Sequence, residues 1–554
     1  MTQPARKQNF LTGAAILALA TAIVKVIGAC YKIPLVRLIG NDGYGYFSNS
    51  YDIYSVLLTI STAGLPVAMS RMISESQTLG NTAQIRRIYR ASLYVFLSIG
   101  IVSSLLMFGF SKQLAVAIGS PNSRYAIAVL APAVLFVCII SSFRGYFQGQ
   151  NNMVPTSVSQ VIEALCKLVF GLGCAWLLMR STQDFTRNYA GSLLGSLAPD
   201  ALSTHGNTAL AAGGAIFGVS FGCLLSVLYL WRTFRRSQVG VSLAGHVKPM
   251  RATMKELLSI AIPITIGSAG LQLIGLVDTV VVLRRLTGAA GLTQLAADNL
   301  KGIYAACVTL FNLPGAFVVP LTVSVLPSVT SYLTLKNRRG ALMVEESAIR
   351  VMALLVMPCA VGLIAISSPI LQLLYGYQGA NLATATPILV LLGLAVLFNC
   401  LVLLTNAIMQ AHGIISIPVV HMLIGGVVRV IVNFILVGTP SLNIVGAPIG
   451  TLICFLLITS LNLFAMHRML PRRPKLLRNM CKPFIAAAVM GLASYFTNSV
   501  LVRLLGSAKI ACLGGLVVAV VVYAVMVVAL KVVTMEDCML LPKGEKIAKI
   551  LRIH

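Results

Sequence analysis

The chain has 554 residues, 58% of them hydrophobic and only 10% charged, with a formal net charge of +28. A soluble domain carries roughly a quarter charged residues, so this composition excludes one and points to a membrane. Nucleic-acid binding is excluded as well, because it needs basic residues gathered on a solvated domain, whereas here they occupy short loops between apolar runs.

Apolar stretches long enough to cross a hydrocarbon core of about 30 Å recur along the whole sequence. They predict an all-α polytopic membrane protein of 14 transmembrane helices, over 10–39, 47–72, 88–110, 124–148, 154–179, 210–231, 256–284, 300–333, 348–375, 384–410, 415–437, 446–467, 482–504 and 511–533. Arg6 and Lys7 ahead of Ala18-Leu19-Ala20 imitate a signal peptide, but the apolar pattern continues to Ile39, so an uncleaved first helix is expected.

The basic residues test this count. One set of loops holds Arg71 and Arg86–Arg90, then Arg232–Lys255, Lys336–Arg350 and Arg468–Lys482. The alternate loops hold only Lys112, Arg124, Arg180, Arg187, Arg284, Arg285, Lys301, Arg503 and Lys509. By the positive-inside rule the first set is cytoplasmic, and an even number of spans leaves both termini there.

The two halves also resemble each other. Lys25-Val26-Ile27-Gly28 with Arg37 parallels Gln272-Leu273-Ile274-Gly275 with Arg284, while Ile53-Tyr54 and Leu65-Pro66 parallel Ile303-Tyr304 and Leu313-Pro314. Gln148 and Pro155 match Gln410 and Pro418 in the same order. The expected organisation is an N-terminal lobe of helices 1–6 (1–232), a cytoplasmic linker (233–255), and a C-terminal lobe of helices 7–12 (256–468). Helices 13 and 14 with the tail follow (469–554). Two six-helix lobes of this kind enclose a central cavity and rock against each other.

Charges inside spans are costly, roughly 2.5–3.5 kcal/mol each at a lipid-facing helix centre, so they mark cavities or partners. Lys25 and Lys32 share one face of helix 1, with Arg37 nearer its end, and this cationic stripe suits an anionic ligand such as a pyrophosphate. Alternatively, Lys32 and Arg37 snorkel to the interface. Glu163 and Lys167, one turn apart on helix 5, either neutralise each other or form an ion or proton site. Asp52 is a further intramembrane carboxylate. Asp278 either pairs with a helix 1 cation, holds a coupling ion or caps a polar contact. Arg429, four residues before Asn433, either faces a groove or snorkels. Prolines 66, 132, 155, 263, 314, 320 and 418 permit kinks and bending points.

The 12 cysteines are scattered without a CxxC pair, and the six histidines show no ligand spacing, so no metal site is expected. No G-x-x-x-x-G-K-[ST] loop is present, so the drive for any transport would be an ion gradient of Na+ or H+, the membrane potential, or consumption of the product. A membrane-embedded glycosyltransferase would need loop carboxylates, and Asp42, Asp184, Asp200 and Asp298 are isolated. An exporter of cationic drugs would need an acidic, aromatic cavity, yet the intramembrane charge is mainly positive.

The run from Ile53-Tyr54 through Ala63-Gly64-Leu65-Pro66-Val67-Ala68-Met69-Ser70-Arg71 to Glu75 resembles the second helix of stage V sporulation protein B and YtgP-type polysaccharide transporters. So does Arg144-Gly145-Tyr146-Phe147-Gln148-Gly149, continuing through Asn152-Met153-Val154-Pro155-Thr156 to Gln160 and Glu163. Leu276-Val277-Asp278-Thr279 and Leu326-Pro327-Ser328 also resemble the MurJ lipid II flippases. The resemblance implies the multidrug/oligosaccharidyl-lipid/polysaccharide exporter superfamily: 14 helices, two lobes, no enzyme activity, no cofactor, and a bacterial cytoplasmic membrane. The implied cargo is an undecaprenyl-pyrophosphate-linked precursor for peptidoglycan or spore cortex, with an O-antigen or exopolysaccharide unit or a cationic drug as alternatives. Membrane lipids and cell-wall synthases are the implied partners. Lys25 stands where the flippases carry a helix 1 arginine, with Lys32 close to a second. Leu58 and Thr309 stand where others carry arginines on helices 2 and 8, so Arg71, Arg144 or Lys301 would complete the anion site.

Overall fold

The computed structural model describes residues 10–188, 204–237, 245–470 and 473–532. Both tails, expected on one side of the membrane, lie outside these residues. Among the described residues there are helices and no strands. Thirteen helical segments among the described residues are long and apolar enough to cross a membrane. The first, Leu19–Thr78, has 60 residues, and at 1.5 Å per residue it would reach about 90 Å, three bilayer cores. It is two crossings. Gly40, at φ 72° and ψ 177°, interrupts helix α1 (Phe10–Thr62) in a conformation open essentially to glycine alone. The fourteen crossings follow, with the second beginning at once after Gly40 rather than near residue 47.

Two compact units divide the chain, Met1–Ala306 and Cys307–His554. In the first, α1 is followed by α2 (Leu65–Thr78), α3 (Thr82–Gly109), the short α4 (Ser111–Ile118), α5 (Arg124–Gly149) and α6 (Val154–Cys166). A π-helical turn, Lys167–Gly171, joins α6 to α7 (Leu172–Asn188), and α8 (Thr204–Ser237), α9 (Met250–Thr287) and α10 (Gln294–Phe311) complete the set, the last running across the unit boundary. Helix α9 packs against α1, α2 and α3 and so belongs to this unit. The segment before it is pinned down: Asn81 caps α3 by accepting the Gln84 N–H (3.0 Å) and donates to the His246 carbonyl (2.6 Å), while the Lys248 N–H donates to Gln84 (2.9 Å). The Glu256 carboxylate accepts from Lys248 at 2.9 Å and holds its ammonium above the ordinary lysine range.

The second unit contains α11 (Leu313–Thr334), α12 (Arg338–Ala365), the short α13 (Ser367–Tyr375), α14 (Gly379–Ala411), α15 (Ser416–Leu436), α16 (Gly446–Met469), α17 (Leu476–Leu505) and α18 (Ala508–Ala529). The last two are integral to it. Ala487 on α17 packs on Ala353 and Met357 of α12, and Tyr523 on α18 donates to the Leu354 carbonyl at 2.8 Å. Small residues bring α15 and α16 together, since a Cβ on Gly425 would overlap the Ile458 side chain.

Four of the expected proline kinks are helix starts instead. Pro66, Pro155, Pro314 and Pro418 occupy the first turns of α2, α6, α11 and α15, where a missing N–H costs nothing. The eighth crossing is therefore broken at Asn312 rather than continuous from 300 to 333.

Candidate functional site

The cationic stripe is on α1. Lys25 and Arg37 are exposed and Lys32 is half-buried, while Tyr31 beside it is fully buried and donates to the Ala215 carbonyl of α8 at 3.0 Å. That bond fixes the rotation of α1. Lys32 follows directly on Tyr31, whose ring centre lies 5.1 Å from the Lys167 ammonium.

Lys167 sits in an aromatic cage. Its ammonium donates to the Tyr51 hydroxyl at 2.9 Å and lies 4.6, 5.1 and 5.9 Å from the ring centres of Tyr51, Tyr31 and Phe47. These rings come from α1, where Tyr44, Phe47, Tyr51 and Tyr54 form a ladder with centroids 5.7, 4.9 and 5.7 Å apart. The ring faces offer partial negative charge to the cation in place of a carboxylate. The π-turn aims Lys167 inward, and glycines allow the approach: a Cβ on Gly218 would overlap the backbone of Gly171.

The expected i, i+4 pair of Glu163 with Lys167 is not the contact made. Glu163 instead accepts from Arg144 of α5 at 2.6 Å, and the same guanidinium donates to Ser159 at 3.0 and 2.9 Å. The guanidinium, anchored on Ser159 by Nε and Nη2, gives Glu163 one short hydrogen bond from Nη2, and this contact from α5 takes the place of the lysine one turn away.

A second ionic site joins three helices. Lys301 of α10 lies 3.8 Å from Asp52 of α1 and donates to Thr279 of α9 at 3.0 Å, and Thr279 donates to Asp52 at 2.7 Å. Asp278, the preceding residue, is buried and has an interaction of its own. Lys301, and Asp298 beside it, were expected in a loop but are buried within a helix. Asp298 accepts from Gln294 at 3.2 Å and from Asn49 at 3.4 Å, and Asn299 donates to Asp42 at 3.1 Å. Gly45 and Gly302 let the two backbones touch, since a Cβ on Gly302 would overlap the Asn41 carbonyl.

Arg144 and Lys301, expected among the anion ligands, thus each face a carboxylate. Arg71 is exposed on α2. Arg429, in the second unit, is half-buried beside Asn433, whose side chain lies over Gly450 of α16. The caging rings and Thr279 were missed in the sequence. The aromatic spacing at 44, 47, 51 and 54 was the available signal, being one face of a helix. A polar knot in the second unit was missed too: the buried Asn462 donates to Thr405 (3.0 Å) and Asn406 (2.8 Å) and lies 2.8 Å from His421.

Fourteen crossings with cations held inside the spans define a multi-pass membrane protein. A family model described as polysaccharide biosynthesis protein matches residues 10–333, more than half of the sequence, and the chain belongs to that family. In Bacillus subtilis it is 26% identical to the uncharacterized membrane protein YabM, covering 98% of this chain and 96% of that protein. It is 25% identical to stage V sporulation protein B (84% and 85% covered) and 24% identical to the lipid II flippase MurJ (77% of each). Among solved structures, a lipid II flippase MurJ in an inward closed conformation superposes with a TM-score of 0.67 at 14% identity, covering 92% of this chain and 97% of that one. An inward-facing multidrug resistance MATE family transporter gives 0.62 at 14% identity, with 82% and 97% covered. The fold is thus MurJ- and MATE-like.

Proposed function

We propose that this protein is a flippase that carries an undecaprenyl-pyrophosphate-linked cell-wall precursor, of the lipid II kind, from the cytoplasmic to the outer leaflet by alternating access, with both termini cytoplasmic. The observation that carries the reading is the stripe of Lys25, Lys32 and Arg37 on α1, with Lys167 caged by Tyr31, Phe47 and Tyr51 of the same helix. A pyrophosphate stripped of water needs such charges, and the names of the MurJ and sporulation relatives agree with it. Lys25 and Lys32 bind the head group while the lipid tail stays in the bilayer. Arg71 and Arg429 add cations along its path. The Asp52–Lys301 pair is remade in each cycle, and an Na+ or H+ gradient or the membrane potential drives it. The description of the matching family gives specific support to a second cargo, an exopolysaccharide repeat unit on the same carrier lipid.

Depletion followed by leaflet-resolved analysis of lipid-linked sugars tests this. Inward accumulation of one pyrophosphate-linked species is expected and names the cargo. Lys25→Ala should reproduce the accumulation at normal protein levels, and full activity of that variant would remove Lys25 from the site.

A further inference from the structure

Helices α1 and α10 meet at two polar levels, one helical turn apart. At one level the Lys301 ammonium answers the Asp52 carboxylate. At the other, three residues back along each helix, Asp298 of α10 faces Asn49 of α1, and among the described residues no lysine, arginine or histidine forms an ion pair with that carboxylate. Asp298 and Asn49 are both fully buried. The amides of Gln294 and Asn49 donate to the carboxylate at 3.2 and 3.4 Å, both neutral and both longer than the roughly 2.7–2.9 Å of a charge-assisted hydrogen bond. A buried carboxylate with neutral donors is costly unless it takes a proton or a cation.

A second atom distinguishes the two. The Asn49 Oδ1 is buried without a hydrogen-bond partner, on the same planar amide whose Nδ2 touches Asp298. A proton on Asp298 neutralises the carboxylate but does nothing for that oxygen, since the amide turns its NH2 toward Asp298. A cation lodged beside both groups takes both oxygens as ligands. Further oxygens adjoin. Gln294 also donates to the Gly119 carbonyl, which brings the connection between α4 and α5 against the carboxylate, and there Ser120 and Ser123, both fully buried, join their hydroxyls at 2.8 Å. Ser50, next to Asn49, donates to the Ser123 carbonyl at 3.4 Å, so the same corner lies beside the amide.

Carboxylate, amide and hydroxyl oxygens suit a hard cation. A single carboxylate balances a single positive charge. The helices are in backbone contact, for a Cβ on Gly45 would overlap the Asp298 main-chain carbonyl, and so close an approach favours a small ion. The nearby Asp42 accepts from Asn299 at 3.1 Å and has a further interaction of its own, so it is not counted as a ligand. We propose that Asp298 and Asn49, with the hydroxyls of Ser120 and Ser123, form a binding site for Na+ that ties α1 to α10. The site does not depend on the flippase reading, because binding alone tests it.

The test is equilibrium binding of radiolabelled Na+ to the full-length protein purified in detergent, at neutral pH, with choline chloride holding the ionic strength constant. The wild type should retain Na+ saturably, and unlabelled K+ or Ca2+ should displace it about tenfold less well than unlabelled Na+. Asp298→Asn keeps the shape, removes the charge and should abolish retention. Asn49→Ala removes one ligand and should weaken retention about tenfold; it is the second variant should Asp298→Asn fail to elute as a monodisperse peak. No retention by the wild type, undiminished retention in either variant, or displacement by K+ or Ca2+ as effective as by Na+ would overturn the proposal. The first of these, together with thermal stability that rises on acidification in the wild type but not in Asp298→Asn, would assign the carboxylate to a proton instead.

Discussion

The Asp52–Thr279–Lys301 site makes an asymmetric prediction. At 3.8 Å the two charges attract by about 4 kcal/mol in a medium of effective dielectric near 20, before desolvation is subtracted. The partners are not equally buried: the Lys301 side chain is 7% exposed and that of Asp52 34%. Asp52→Asn strands a buried ammonium whose remaining hydrogen bond is to Thr279, and should destabilise the first unit by about 3 kcal/mol, the lower end for breaking a buried pair. Lys301→Met leaves a carboxylate that can still be hydrated and accepts from Thr279, at a cost of about 1 kcal/mol. Equilibrium unfolding of the purified protein in mixed micelles with increasing SDS measures both. If Lys301→Met proves as costly as Asp52→Asn, burial of the ammonium does not control the site and the argument fails.

Arg144→Ala and Glu163→Ala should be coupled by about 1–2 kcal/mol in a double-mutant cycle read by the same unfolding assay, whereas additivity within about 0.5 kcal/mol would deny the pair. Gly218→Val should reduce the folded, monodisperse yield severalfold in size-exclusion chromatography because a Cβ there overlaps Gly171, while Gly173→Ala, with open space at its Cβ, should leave it unchanged. Tyr51→Phe keeps the ring over Lys167 and removes one hydrogen bond, so it should cost about 1 kcal/mol of unfolding free energy. Lys167→Met removes the same hydrogen bond, so it should cost a similar amount, about 1 kcal/mol, and in addition cause lipid-linked sugars to accumulate on the inner leaflet; normal flux in that variant would exclude the caged cation from transport.

Much of the fold was legible because a membrane imposes one simple rule, an apolar run about 20 residues long. The count survived even where two crossings merge at Gly40, since loop charges are an independent tally. Hydropathy was blind where charges cancel in space. Lys301 and Asp298 lower the hydropathy around them as strongly as loop residues would, and only their distant partners Asp52, Thr279 and Asn49 explain their burial. The stripe on α1 could be found because two lysines seven residues apart need no tertiary information to share a face. The true partner of Glu163 could not, for Arg144 approaches from another helix, and sequence spacing reports neighbours only along one.

The broken crossings share a local cause. The second resumes at Leu65-Pro66 after Gly64, and the eighth at Leu313-Pro314 after Asn312. Proline has no N–H to give the preceding turn, so each interruption falls where the Leu-Pro dipeptide begins a new helix. An interrupted helix leaves carbonyls without partners, which hydrocarbon does not tolerate unless protein or water covers them. At the first break the cover is visible: Gly64 lies so close to α9 that a Cβ would overlap the Ala261 carbonyl and Thr265. A feature that costs backbone hydrogen bonds in a membrane and recurs at matching places in the two halves of the sequence is hard to explain as drift. It is better explained as the start of a new helix within each crossing, with proline in the first turn, where its missing N–H costs nothing, and with the neighbouring helix closed against Gly64 at the first break.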